Sequence, residues 1–199
     1  MKKIITRAER EKIKKRNQLL MGVILVILMV FSTIGFALSG RTNSQESEVM
    51  EYKNIKFIRE GGYWRFNYNN KEFISRYNPV EVKDINVPIS LRLEDFFNKP
   101  LYLSGNSPEV FGEINIFMRD FVERINLACI EEEKESNKTD ICENLPIKDC
   151  KKDNIIIVKE SKINESERIY QEDKCIFIES SIENQTLYGD ALLFKIFDI

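Results

Sequence analysis

The chain has 199 residues, with 30 Lys+Arg against 32 Asp+Glu for a net charge of −2, four Cys and no His. Without imidazole, Ser-His-Asp and Cys-His nucleophile sites, His-metal sites and HExxH helices are excluded. The length allows one ordinary domain plus an extra segment.

Charge is concentrated at the N-terminus. Residues 1–17 hold eight basic groups (Lys2, Lys3, Arg7, Arg10, Lys12, Lys14, Lys15 and Arg16) and two acidic ones, Glu9 and Glu11, a net +6. The rest of the chain therefore carries a net −8. No residue from 18 to 40 is charged, and Leu19 to Leu38 reads LLMGVILVILMVFSTIGFAL. About 20 apolar residues cross a hydrocarbon core of about 30 Å as a helix. Lipid offers the backbone no hydrogen-bond partners, so the run must be helical. A buried core helix of a soluble protein is the bland alternative, and an all-round apolar run beside a basic block does not suit it. Residues 18–39 are therefore expected to form a single transmembrane helix.

Eight Lys/Arg precede this span, whereas Arg41 stands alone after it until Lys53. The positive-inside rule then predicts a cytoplasmic N-terminal leader (1–17) and a cell-membrane protein whose C-terminal part lies outside. A cleaved signal peptide competes, because Ala37-Leu38-Ser39 before Gly40 is a small-x-small site; the apolar run exceeds the usual signal core. The leader is suited to anionic lipid headgroups, at about 1 kcal/mol per basic group near the surface. No specific nucleic-acid partner is expected.

Residues 40–50 are small and polar and read as a tether, with an extracytoplasmic domain over 51–199. Its first part reads as an antiparallel three-stranded meander. Trp64, Phe66 and Tyr68 alternate with Tyr63, Arg65 and Asn67, and Phe73, Ser75 and Tyr77 alternate with Glu72, Ile74 and Arg76. That period of two marks half-buried strands. Gly61-Gly62 and Asn69-Asn70 suit tight hairpins, and Ile55–Ile58 would be the first strand. An aromatic face of this kind either packs on a core or stacks on a sugar or peptide, and core packing is the expected role.

Residues 79–99 read as a loop with a helical turn or two, and Leu101–Leu103 as a short strand. Ser107, Pro108 and Glu109 form a helix start. Apolar residues recur from Val110 through Ile114, Phe117, Phe121 and Ile125 to Ala128, which predicts one long helix over about 108–130. Residues 131–150 form a polar connection. Asn154–Val158 is an uninterrupted β-branched run suited to a central strand buried on both faces. Lys174–Glu179 reads as a further strand after a hairpin turn, and Thr186–Phe197 as a C-terminal helix. The order strand, helix, strand suggests one βαβ crossover, and together with the meander it gives the class α+β.

Cys129, Cys142, Cys150 and Cys175 all lie in the part expected outside, where an even count favours disulfides. Pairing Cys129–Cys142 and Cys150–Cys175 closes short loops without crossing. No C-x2-C pair is present, which disfavours zinc or thioredoxin-type chemistry. Asn137, Asn164 and Asn184 head Asn-x-Ser/Thr sequons and are candidate glycosylation sites.

Catalytic, cofactor-binding and metal-ligating residues are not evident. Glu94-Asp95, Glu131–Glu133 and Glu172-Asp173 are acidic clusters, but neighbouring residues point in different directions, so solvated surface charge is the expected role. Asp190 and Lys195 stand five apart in the last helix, off the usual pairing intervals. No phosphate-binding glycine loop, GxSxG elbow or SxxK pair occurs.

The segments LPIKDC (145–150), NIIIVKE (154–160) and IYQEDKCIFIE (169–179) resemble those of a group of small archaeal proteins. That group has one N-terminal span, an exported Cys-bearing domain and no assigned activity. The resemblance implies placement at an archaeal cell envelope and carries over no residue roles. The expected function is a membrane-anchored extracytoplasmic domain with a binding or structural role, non-enzymatic, with a protein partner at the envelope. An envelope enzyme using carboxylates or a metal without His, and a secreted factor cleaved after Ser39, are the alternatives.

Overall fold

The computed structural model of the chain describes residues 7–39, 48–131, 140–162 and 166–199. Residues 1–6 of the leader, 40–47 of the tether and the sequons' Asn137 and Asn164 lie outside them. The chain divides into two units, Met1–Ser47 and Glu48–Ile199.

The described part of the first unit is a helix, α1 (Arg7–Ser39), of 33 residues. Its stretch Lys14–Ser32 is long and apolar enough to cross a membrane, and none of it is buried against protein. Leu19 and Met29, for example, stand 71% and 72% exposed. An apolar stripe on every side has no single core to face, so this helix is not built as a core element.

The second unit opens with a four-stranded antiparallel meander in sequential order: β1 (Val49–Tyr52), β2 (Ile55–Glu60), β3 (Tyr63–Tyr68) and β4 (Lys71–Ser75). The expected three strands are thus preceded by a fourth, which takes Val49 and Met50 out of the tether. Each hairpin turns on two residues at positive φ: Lys53-Asn54 (47° and 63°), Gly61-Gly62 (58° and 87°) and Asn69-Asn70 (50° and 62°). Two left-handed residues give a turn whose twist matches that of the flanking strands. Lysine seldom supplies this conformation, which is why the first turn is hard to read from the sequence. The register places Phe57, Phe66 and Phe73 side by side across three strands.

A connection then leads through the one-turn helix α2 (Leu93–Phe96) to β5 (Pro100–Gly105), α3 (Pro108–Met118) and β6 (Arg124–Leu127). The single helix expected over 108–130 therefore ends at Met118, and its second half becomes a parallel strand. Strand β5 pairs Leu101 with Ile125 and Leu103 with Leu127. The β5 edge presents unpaired N–H and C=O groups, and pairing them outweighs the helical period of Phe121, Ile125 and Ala128. The turn is held on β5's own leader: the Asn98 N–H donates to the Phe121 carbonyl at 3.0 Å, and the Glu123 N–H to the Lys99 carbonyl at 3.0 Å.

Beyond it come β7 (Cys129–Ile130), a 3-10 turn at Asp140–Asn144, β8 (Ile147–Lys148), β9 (Asn154–Glu160), β10 (Arg168–Glu172), β11 (Cys175–Ser180) and the C-terminal helix α4 (Gln185–Phe197). The main sheet has the order β10-β11-β9-β5-β6, parallel except for the β10–β11 hairpin. Strand β9 is central and buried from Asn154 to Val158, as its β-branched run requires. Gly105, at φ 108°, ends β5 where any Cβ would lie 2.0 Å from the Val158 carbonyl oxygen. Only glycine allows the two backbones to meet there.

Alternation divides the sheet's side chains. Leu101, Leu103, Ile156, Val158, Ile176 and Ile178 join a large core with α3, α4 and the aromatic face of the meander. The rings of Phe117 on α3 and Phe194 on α4 both lie 6.0 Å from that of Phe66. The meander's aromatics are thus core residues, and the two helices lie between them and the main sheet. Gly189 of α4 lets the helices approach, since a Cβ there would sit 3.1 Å from the Val110 side chain.

Candidate functional site

The opposite face of the main sheet is built differently. Tyr102, Ile155, Ile157, Cys175 and Phe177 point to it, and among the described residues Ala128, Ile130 and partly buried Cys150 and Tyr170 pack against them. Among the described residues, no helix of two turns or more packs on this face. Its cover is the short parallel ladder of β7 with β8, tied down by two disulfides. Cys129 bonds to Cys142 and Cys150 to Cys175, with Cα atoms 5.8 and 5.0 Å apart. All four cysteines are consumed. The structure brings together the pairs that the sequence reading favoured.

A hollow of about 430 Å³ opens beside this cover, lined by Ile147, Lys148, Asp149, Cys150, Glu172 and Phe177 among others. Cations lie over its neighbouring rings: Lys148 is 4.2 Å from the Tyr102 centroid and Lys159 4.9 Å from that of Phe177. Phe177 also stacks on Tyr170 at 4.7 Å. Hydrogen bonding by Lys148, and then by Arg124, favours the ionised phenol and holds Tyr102 below the usual tyrosine range. Lys148 also pairs with Asp153 at 3.4 Å. Mixed charge over aromatic faces suits contact with a polar surface, and the acids here do not converge. Among the described residues, no three Asp, Glu, Cys or His side chains group as metal ligands.

The convergent acids lie elsewhere, inside the large core. Glu113 of α3 is 8% exposed and Asp190 of α4 is fully buried. The Arg76 N–H donates to Glu113 Oε1 at 3.1 Å, and the Tyr77 N–H to Asp190 Oδ2 at 2.7 Å. Burial pushes the Glu113 carboxyl up to about 7, and burial followed by the charge of Glu113 raises Asp190 well above the ordinary range. Neither the hollow at the disulfide-clamped face nor a second one of about 270 Å³, lined by Tyr52, Val82 and Lys195 among others, is lined by either acid.

Sequence reading missed this pair, although a signal was present. Glu113 follows Val110 by three and precedes Phe117 by four, so it lies on the apolar stripe. Asp190 holds the same place between Leu187 and Phe194. An acid on an apolar stripe is buried or misplaced, and two of them in facing helices are candidates for each other.

The remaining acids are local. Asp95 accepts the Arg92 N–H at 2.8 Å at the start of α2. Asp173, at φ 53°, forms the β10–β11 turn. Glu167 collects the Ser181 N–H at 2.8 Å and the Asn184 Nδ2 at 2.8 Å. Burial opposes its ionisation, but hydrogen bonds from Ser181, Asn184 and Tyr188 outweigh that and hold it below the usual carboxylate range. The Asn184 nitrogen, which a glycan would have to occupy, is thus already engaged.

Nothing matches. No protein-family model, curated protein or solved structure is similar to this chain. Its function must be argued from the residues alone.

Proposed function

We propose that the chain is a single-pass membrane protein whose C-terminal unit faces the exterior and serves a binding or structural role, without catalysis. The observation that carries this reading is the distribution of two chemistries along the chain. The apolar helix has no protein to bury its Lys14–Ser32 stretch, and every cysteine in the second unit is oxidised. An unburied apolar 19-residue stretch calls for lipid. Structural disulfides persist in oxidising compartments. The basic leader then marks the cytoplasmic side and contacts anionic headgroups.

A binding role is supported by the hollow at the disulfide-clamped face, with its mixed charge and ring faces, at which a protein partner of the envelope would dock. An archaeal envelope is the setting implied by the resemblance of residues 145–179.

Protease added to intact cells should trim the C-terminal unit and spare the leader, and alkaline extraction should leave the chain in the membrane. Full protection of the C-terminal unit would overturn the topology. The mass of the mature N-terminus separates an anchor from a cleaved signal, since cleavage after Ser39 removes all of α1.

A further inference from the structure

We propose that Glu113 and Asp190 share a proton across the α3–α4 pair, forming a clasp that fastens the end of the meander to both helices and loosens as the pH rises. Each carboxyl spends one oxygen on the segment leaving β4, through the Arg76 and Tyr77 N–H groups. The other two oxygens, Glu113 Oε2 and Asp190 Oδ1, are buried and receive no donor from the protein. The two carboxyls bind adjacent backbone N–H groups, those of Arg76 and Tyr77, and each acts on the other's ionisation. An ionised carboxylate only accepts hydrogen bonds, so two of them here leave both orphaned oxygens unsatisfied and set like charges together in the core. One proton between them supplies the missing donor and removes one charge. The result is a short charge-assisted bond closing a ring of four residues from three elements.

The surrounding charges do not relieve the pair. Glu109, one turn earlier on α3, adds a further negative charge. Arg76 is the cation that acts on it, but its guanidinium donates to the Gly62 carbonyl at 3.3 Å and lies over the Tyr63 ring. What the Arg76 segment gives the pair is its backbone N–H.

The sign of the pH effect follows from linkage. Unfolded carboxyls lose their protons near about pH 4. In the folded state burial holds the Glu113 proton up to about 7 and raises Asp190 well above the ordinary carboxyl range. Between these values the folded state binds more protons than the unfolded one, so stability falls as pH rises. The unfolding constant grows roughly tenfold per pH unit for one retained proton, and levels off once that proton has left the folded state. The part released first is the Ser75–Tyr77 exit of the meander, where both clasp contacts end. For a domain facing the exterior, this makes external pH a control on how firmly the meander is held.

The test uses the full chain in detergent micelles, with carboxyl-carbon-labelled Glu and Asp followed by infrared spectroscopy and NMR. A protonated carboxyl band should persist at about pH 6, well above the ordinary carboxyl range. Glu113→Gln keeps an acceptor for the Arg76 N–H and supplies a permanent donor to Asp190. It should flatten the pH dependence of unfolding between about pH 5 and 7 by close to one proton relative to wild type. It should also remove the pH-dependent exchange of the Arg76 and Tyr77 amides. Full ionisation of every Glu and Asp in the wild-type chain at that pH would overturn the proposal, as would an unchanged slope in Glu113→Gln. If the variant does not fold, the wild-type carboxyl band alone decides.

Discussion

Phe66→Ala is expected to destabilise the second unit by about 3–5 kcal/mol, the range for deleting a buried aromatic ring. Phe66 is 1% exposed. Its ring centroid lies 4.4 Å from that of Phe57, 5.7 Å from Phe73, and 6.0 Å from both Phe117 and Phe194. It therefore touches two neighbouring strands and both helices. The walls of the resulting cavity belong to several elements and cannot collapse onto it together. Against a typical total of about 5–15 kcal/mol, the loss is a large fraction of all stability. Tyr63 supplies the control. It stands three residues before Phe66 in β3, so the period of two turns it to the other face, and it is 47% exposed with Arg76 over its ring. Tyr63→Ala should cost about 1 kcal/mol or less, chiefly the cation–ring contact. Denaturant titration of the full chain in micelles measures both; equal losses would mean that the meander does not pack by its Phe66 face.

Cys150→Ser should cost about 3–4 kcal/mol. The bond it removes joins residues 25 apart, from the turn just after β8 to the start of β11. In the chain-entropy account, closing a loop of that size restricts the unfolded chain by about this amount. Local packing leaves little to compensate. The face under β7 and β8 has a small buried cluster, and Cys175 within it is fully buried. Without the bond, the cover over Phe177 depends on a two-residue ladder and a few side chains. Reductant should therefore lower the unfolding midpoint of the wild-type chain and have a smaller effect on Cys150→Ser, which retains only Cys129–Cys142. An unchanged midpoint in Cys150→Ser would show that this bond does not hold the face together.

These two predictions divide the domain by how each face of its main sheet is stabilised. On one face, helices and aromatic rings exclude water over a wide area. On the other, covalent links stand in for apolar area that the 131–150 connection does not possess. The hollow lies on the second face, beside the thinner cover. Regions with little apolar burial are where local opening is least costly.

The amino-acid sequence alone determined those features whose cause lies within one segment. The α1 run declares itself because backbone groups and apolar side chains have the same requirement along the whole stretch. The hairpins at Gly61-Gly62 and Asn69-Asn70, the alternation of β3, the apolar run of β9 and the stripe of α4 are equally local. The cysteine pairs were legible because short uncrossed loops are few. Tertiary structure alone decided where α3 stops, since residues 124–127 satisfy a helical period as well as a strand and only the open edge of β5 chose between them. It also added β1, whose turn uses a lysine in a conformation that lysine seldom adopts. Most of all it decided the meeting of Glu113 and Asp190, 77 residues apart in the chain. Each acid is visible on its own stripe, but whether a buried charge is matched, shared or unsatisfied depends on the group that faces it, and packing between helices supplies that group.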